Sequence, residues 1–542
     1  MTSINKKFAI FFLPLLSVVV FLWRLLLPGY VLSLDLVFTP HILPPHLNPG
    51  DFLNTWVIYW PMYWVSLVLP GWIVEKGMLI GLFFALPVLA YHCILPRTSS
   101  KQARIWAALL YTMNPFVYTR FLAGQWLILL AYACLPLVLY FSFQTQERDL
   151  NVRRSFFLAL SIAAVFACSL HLGVMALCVW LFVSLGTMPF RSARAWMLNA
   201  FTAVMLFVMT AYWTVPAFIH RGSSILQAFG AQNLQAFHTA SDPVLGTIGN
   251  VLALYGFWGE HEPWATQFIW VKSFPVVWAI AGIGLASFIA YGIFPSWRRD
   301  RRLTGSLIML TCLALIFSCG IGNSPFFGIN QWIFTHVSFW RGFRDSQKWS
   351  AVIALVYAYF GGLGVDGLWK KVAADRLVFL VTSFFVLLYT FPMLFGFWNQ
   401  LKPVWYPSSW TEVNRVLQID PQCKAIFLPW HMFYASTFAH GVLIANPARP
   451  FFQCQIVESQ NVELNGIHTQ SAINPAYDAI DGAVTGSDGW LPEQEIEVLR
   501  QAGIHYAIDT HDMTAADPFI YSFLKIGGIQ VQRFGEIRLY RF

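Results

Sequence analysis

Residues Leu53–Trp72 read LNTWVIYWPMYWVSLVLPGW, a run apolar enough to cross a bilayer. Whether it does so decides the side of the membrane on which every later loop lies. The test is the placement of lysine and arginine, which gather in cytoplasmic loops. With this run set aside, eleven others suit a crossing: Phe8–Leu27, Gly77–Leu95, Ile105–Tyr118, Trp126–Phe143, Ser155–Ser169, Leu172–Met188, Trp196–Pro216, Phe268–Phe294, Leu303–Gly320, Trp349–Leu368 and Leu377–Phe397. Alternate gaps between them then hold Lys6 and Lys7; Arg97, Lys101 and Arg104; Arg148, Arg153 and Arg154; Arg191 and Arg194; Arg298, Arg299, Arg301 and Arg302; and Lys370, Lys371 and Arg376. Counting Leu53–Trp72 as a span inverts every basic gap after it, so the charge pattern rejects it. Its two prolines and its Trp56, Tyr59, Trp60, Tyr63, Trp64 and Trp72 suit a helix lying in the headgroup layer.

Composition agrees with a membrane protein. The 542 residues are 57% hydrophobic and only 11% charged, with a mean hydropathy of +0.58, outside the range of soluble globular chains. The net charge of +8 comes from short clusters between apolar runs, which is the loop pattern and excludes a nucleic-acid partner. The first run is too long for a signal peptide and lacks a small-residue cleavage site, so it reads as a retained span. Six of the eight cysteines lie in spans without ligand spacing and read as packing residues.

The predicted fold is mainly α: a polytopic helical membrane domain, 1–398, whose first outer loop is long (28–76), and a small extracytoplasmic α/β domain, 399–542. In the second domain helix-like segments, Thr411–Gln418 and Pro492–Gln501, alternate with strand-like ones, Ala425–Leu428 and His505–Asp509. Ile529–Phe542 reads as a hairpin turning at Phe534, Gly535 and Glu536. An odd number of spans puts this domain outside, where Cys423 and Cys454 either pair or remain two reduced core cysteines. The N-terminus is then cytoplasmic.

The outer face collects the groups that could do chemistry. Asp35 follows the first span by fewer than ten residues, so it sits at the bilayer surface, within reach of a headgroup yet wetted. Asp51 is the second acid of that loop. Arg341, Arg344 and Lys348, in FWRGFRDSQK, share a face if the loop enters the next span as a helix, and arginine forks suit phosphate oxygens. The alternative is anchoring to lipid phosphates. Arg120, His171 and His220 are further candidates for substrate contact, although Arg120 could instead snorkel and His171 could be a plain loop residue. The GEHE tetrapeptide, Gly259–Glu262, has metal-compatible side chains on adjacent positions, which rarely face one ion. No nucleotide signature is present, and no acid falls at mid-depth in a span as ion-coupled transporters require.

GYVLSLDLVFTPH (29–41), NPFVYTRFLAGQWLILLAYACLPLVL (114–139) and FRDSQKWSAVIALVYAYFGGLG (343–364) resemble stretches of the GT-C superfamily of integral-membrane glycosyltransferases. The likeness is nearest to bacterial arabinofuranosyltransferases and YfhO-type membrane proteins. It implies a polyprenyl-phosphate sugar donor, a glycan, lipid or protein acceptor on the extracytoplasmic face of the plasma membrane, and an acid of the first outer loop as base, matching Asp35. Inversion follows from a single displacement with one base. Many members carry two close acids there, whereas here Asp51 lies sixteen residues beyond Asp35. A divalent cation is left open as cofactor. The rival functions are a lipid or glycan translocator and a non-catalytic envelope assembly protein.

Overall fold

The computed structural model describes residues 14–45, 53–96, 98–145, 151–220, 226, 229–371, 375–464, 467–470, 475–485, 493–512 and 530–542. In chain order the first half holds α1 (14–22), β1 (Tyr30–Val31), α2 (Trp56–Ser66), α3 (Gly71–Cys93), α4 (Lys101–Thr112), α5 (Pro115–Leu122), α6 (Trp126–Thr145), α7 (Val152–Cys168), α8 (Leu170–Thr187) and α9 (Ala193–Ile219). Two short helices, α10 (Ala231–Ala236) and α11 (Gly246–Leu252), precede α12 (Pro275–Arg299), α13 (Arg301–Cys319), α14 (Phe327–His336), α15 (Ser350–Trp369), α16 (Asp375–Tyr389) and α17 (Leu394–Phe397).

Among the described residues seven helices are long and apolar enough to cross a membrane, or eight if the sharply bent pair α16 and α17 forms one span. These coincide with eight of the eleven expected spans, and the chain is a multi-pass membrane protein. The other three are not among them. Phe8–Leu27 is described only from residue 14. Ser155–Ser169 is α7, with 17 residues. Ile105–Tyr118 is broken: Met113 is extended, and Asn114 starts a new helix by accepting from the Val117 N–H at 3.1 Å, with Pro115 in the first turn. Hydropathy is blind to such a cap. α2 has 11 residues, about 16 Å of helix, too short to cross, and none of them is buried.

Where the chain must turn between spans, polar side chains cap the next helix. Ser169 separates α7 from α8, and Asp300 alone separates α12 from α13, accepting from the Leu303 N–H at 3.0 Å. α15 is buried along most of its length and forms the centre of the bundle. It meets α12 backbone to backbone. A Cβ on Gly292 would lie 1.7 Å from the Phe360 carbonyl oxygen, and one on Gly364 would lie 2.3 Å from that of Phe288, so only glycine allows this approach.

After α17 come β2 (Pro403–Val404), α18 (Ser408–Leu417), β3 (Lys424–Leu428), the hairpin β4 (Phe433–Ala435) and β5 (Leu443–Ala445), α19 (Ala448–Phe451) and β6 (Gln455–Val457). Then follow the hairpin β7 (Asn461–Leu464) and β8 (Ile467–Gln470), α20 (Pro475–Thr485), α21 (Glu493–Gln501), β9 (Tyr506–Thr510), β10 (Gln530–Phe534) and β11 (Ile537–Arg541). Five strands form a mixed sheet in the order β10, β11, β9, β3, β6. Side chains of a strand alternate between faces. Accordingly Ala425 and Phe427 pack with Trp410 of α18 on one side, while Ile426 and Leu428 pack with Ile480 of α20 and Leu499 of α21 on the other. Cys423 and Cys454 form a disulfide.

This region is clamped onto the loop that carries Asp35. β1 pairs antiparallel with β2, Leu34 bridges to Ile444, and the Tyr406 hydroxyl donates to the Phe38 carbonyl at 2.9 Å.

Candidate active site

Asp35 stands at the tip of a two-residue hairpin. The Ser33 N–H donates to the Leu36 carbonyl at 3.0 Å, leaving Leu34 and Asp35 at the turn. The turn is gripped from two sides. On the membrane side the Asp35 N–H donates to the Ala123 carbonyl at 3.2 Å, and the Ser33 hydroxyl donates to the Leu122 carbonyl. On the other, the Ala445 N–H donates to the Leu34 carbonyl at 2.7 Å. One step earlier the buried carboxylate of Glu75 accepts the Val31 N–H on both oxygens, at 3.1 and 3.0 Å. Gly124 makes the membrane-side contact possible. Its φ is +70°, and a Cβ there would lie 2.1 Å from the Leu36 nitrogen.

The Asp35 carboxylate is accessible to water although protein crowds it on all sides, as on the wall of a recess. That crowding raises its pKa above the usual carboxylate range. The 3.2 Å hydrogen bond from Gln125 and the charges of Lys348 and Arg120 oppose the rise. Tyr59 of α2 stands near enough for the Asp35 charge to add to burial in pushing its phenol up to about 12.

The opposite wall is cationic. Arg120, at the end of α5, is fully buried and grips Asp345, Nη1 to Oδ2 at 2.6 Å and Nη2 to Oδ1 at 3.1 Å. The same guanidinium donates to Gln125 at 2.6 Å and to Gln347. Burial works against ionising Asp345, yet Arg120 and Lys348 hold its carboxyl down at about 2. Lys348 Nζ lies 3.5 Å from the same carboxylate, and its charge is felt at Asp35. Arg344 is stacked between Phe229 and Phe237, 3.9 and 4.4 Å from the ring centres. Its Nη1 is buried without a hydrogen-bond partner among the described residues. Burial lowers its pKa to about 10, with Asp345 and Asp35 opposing, so it stays charged at neutral pH.

The structure brings Asp35, Arg120, Arg344 and Lys348 together, but along a different path from the expected one. The segment from Arg341 to Lys348 is no continuous helix face. Two 3-10 turns meet at Asp345, whose φ and ψ of −86° and 77° break the helix. Arg341 is half-buried on the first turn, outside the network just described. Arg120 does not snorkel: it is fully buried, and its Nη1 and Nη2 donate to Asp345, Gln125 and Gln347. His171 contacts the Gly342 carbonyl through Nε2 at 2.6 Å, as donor, and its ring meets that of Phe343. It therefore positions the arginine-bearing turn. His220 is the exposed C-cap of α9 and is not part of this network. Asp51 lies outside the described residues. Glu75 and Gln347 carry no motif that sequence could have flagged.

In the GEHE tetrapeptide, Glu260 accepts from Asn250 and Gly256 at 3.1 and 3.0 Å and pairs with Lys272, which makes it a loop organiser. Among the described residues no three His, Cys, Asp or Glu side chains converge as metal ligands. Asp35 is flanked by the cations Lys348 and Arg344, and Asp345 is spent on Arg120. Among the described residues this donor set does not fit a divalent cation.

No protein-family profile matches the chain, and no curated protein sequence matches it at a significant level. Solved structures do. Arabinofuranosyltransferase AftD from mycobacteria aligns with a TM-score of 0.65 at 14% identity, covering all of this chain and 40% of that one. A mutant of the same enzyme aligns with a TM-score of 0.62 at 14% identity, over all of this chain and 42% of that one. The oligosaccharyltransferase of Archaeoglobus fulgidus, with a TM-score of 0.44 at 11% identity over 92% of this chain and 67% of that one, is too distant to bear on the argument. The chain thus has the fold of arabinofuranosyltransferase AftD, the GT-C-like architecture that its sequence resembles, over about two fifths of that structure's length.

Proposed function

We propose that this chain is a membrane glycosyltransferase that moves a sugar from a polyprenyl-phosphate donor to a glycan, lipid or protein acceptor on the extracytoplasmic face, inverting the anomeric carbon. The observation that supports it most is one accessible carboxylate, Asp35, fixed at a hairpin tip with Arg344 and Lys348 across from it. Transfer from a lipid phosphate needs a base for the attacking hydroxyl and cations for the departing phosphate. The acceptor oxygen bonds to the anomeric carbon as the bond from that carbon to the phosphate oxygen breaks. The hydroxyl proton passes to Asp35, and Arg344 and Lys348 meet the charge left on the phosphate. Arg120 holds Asp345, and through Gln125 it helps to orient Asp35.

We further propose that the protein lies in the plasma membrane with its N-terminus in the cytoplasm, residues 1–398 forming the membrane domain and 399–542 an extracytoplasmic one. The alternating basic gaps support this, as does the Cys423–Cys454 disulfide, which belongs to an oxidising compartment. A reporter fused after Phe542 that is active only in the cytoplasm would refute the orientation. The function is tested with purified protein in proteoliposomes, a short-chain polyprenyl-phosphate sugar and a glycan acceptor. A product of inverted anomeric configuration is expected. Donor that crosses the bilayer without any transfer would point to a translocator instead.

A further inference from the structure

A cavity of about 490 Å³ lies between α1, α3, α4 and the α16–α17 bend, apart from the Asp35 recess. One wall is a stripe along α4: Lys101, Ile105, Ala108, Leu109 and Thr112, which share a face at helical spacing. The other face of α4 is taken, because Trp106 and Ala107 pack on Gly361 and Gly362 of α15. Pro87 lies inside α3 on the facing wall, where a helix loses a backbone hydrogen bond and bends. The gap exists because α4 stops after 12 residues and the chain turns inward as α5.

Its depth and polarity identify an occupant. α3 begins at Gly71, which abuts the Thr39 carbonyl beside the Asp35 loop, and runs to Cys93, after which α4 returns. The Lys101 end is therefore the end of the bundle away from Asp35. From there the stripe extends about 18 Å, little more than half of the ~30 Å hydrocarbon thickness. A chain entering from one leaflet fills it. Water does not fill an apolar cavity. At the mouth Lys101 is exposed and has no hydrogen-bond or ion-pair partner among the described residues. Arg104 stands beside it, stacked on Tyr91 at 4.2 Å. Of the described acids at this end, Asp366 is taken up by the Ser100 N–H at 2.7 Å and by Lys370 at 2.6 Å, and Asp300 caps α13. The mouth is left cationic.

We propose that this groove holds one acyl chain of an anionic phospholipid from the leaflet opposite the active site, with its phosphate at Lys101. The site is independent of the proposed transfer reaction. It is tested by native mass spectrometry of the full chain taken from nanodiscs of equal phosphatidylglycerol and phosphatidylcholine with identical acyl chains. The native protein should retain phosphatidylglycerol at about one per chain. Ala108→Phe fills the groove and should cut retention roughly tenfold, as loss of the buried chain requires. Lys101→Gln, at an exposed position that the fold tolerates, should keep the lipid but reduce the preference for phosphatidylglycerol by about fivefold. Equal retention of the two lipids by the native protein overturns the headgroup assignment. Undiminished retention by a folded Ala108→Phe variant overturns the site.

Discussion

Arg120 and Asp345 meet through two parallel hydrogen bonds, 2.6 and 3.1 Å, which join the end of a short inward-turned helix to the threshold of the central span. Both are buried, so removing Arg120 leaves the Asp345 carboxylate with only the longer 3.5 Å contact to Lys348 among the described residues. Arg120→Ala should cost about 3–5 kcal/mol, the usual penalty for breaking a buried pair. Arg120→Lys should recover only a minor part, because the fork is lost. Chemical denaturation checks both, and a native midpoint for Arg120→Ala would remove the pair from the architecture of the site.

Asp35→Asn keeps shape and removes basicity, so turnover should fall by about a hundredfold or more, the range of general-base contributions. Stability should not fall with it. Because the folded protein raises the Asp35 pKa, ionisation costs the folded state more than the unfolded one. An uncharged residue there is neutral or stabilising at pH 7. A variant that loses activity together with its melting temperature would make Asp35 a structural residue.

The rate should carry an acid limb from the same group. The base acts only when ionised and its pKa lies above the usual carboxylate range, so kcat/KM should climb with pH through that raised value and then level off. A rate independent of pH across the acidic range would exclude Asp35 as the proton acceptor.

Arg344→Ala should weaken binding of a short-chain polyprenyl phosphate by roughly tenfold to a hundredfold, the worth of one charge-assisted contact in a partly dry site. Arg344→Lys should restore part of it. Titration against native and variant protein decides the matter, and equal affinities would leave this turn as a lipid anchor.

Gly124→Ala should damage the site while sparing the rest of the bundle. The new methyl group would collide with the backbone of Leu36 and Ser33, and φ of +70° is unfavourable to it. Activity should fall well beyond what a small drop in melting temperature explains. Native activity would mean that the Asp35 turn has slack which the geometry denies.

Much of this was legible in the sequence, for reasons that vary by residue. Asp35 stood out because acids are rare in the first three quarters of the chain and it lies close to a span. The C-terminal strands could be read because Ala425–Leu428 and His505–Asp509 are β-rich runs between turn signals; the structure moves their ends by no more than a residue. The inward turn of α5 could have been found from Asn114–Pro115, a cap signal inside an apolar run that hydropathy averages away. The partner of Asp345 could not. Arg120 lies 225 residues before it, and spacing along a chain says nothing about a contact of that range. Reading Arg341, Arg344 and Lys348 as one helical face failed because Asp345, drawn to Arg120, breaks the helix between them.

The pairing of Tyr30 with Val404, and of Leu34 with Ala445, also fixes an order of events in biosynthesis. The turn that carries Asp35 leaves the ribosome before α2 and every later helix, but the strand that completes its ladder follows only after α17 has been made. Until then the loop must remain at the membrane surface with its backbone groups on water or lipid headgroups. Closing so long a loop is slow, because its entropy is lost before the contact forms. A chain interrupted between Phe397 and Val404 therefore has every described helix of the membrane bundle and an unfinished Asp35 loop. Any quality control that waits for the C-terminal sheet is, in effect, waiting for Asp35 to be set in place.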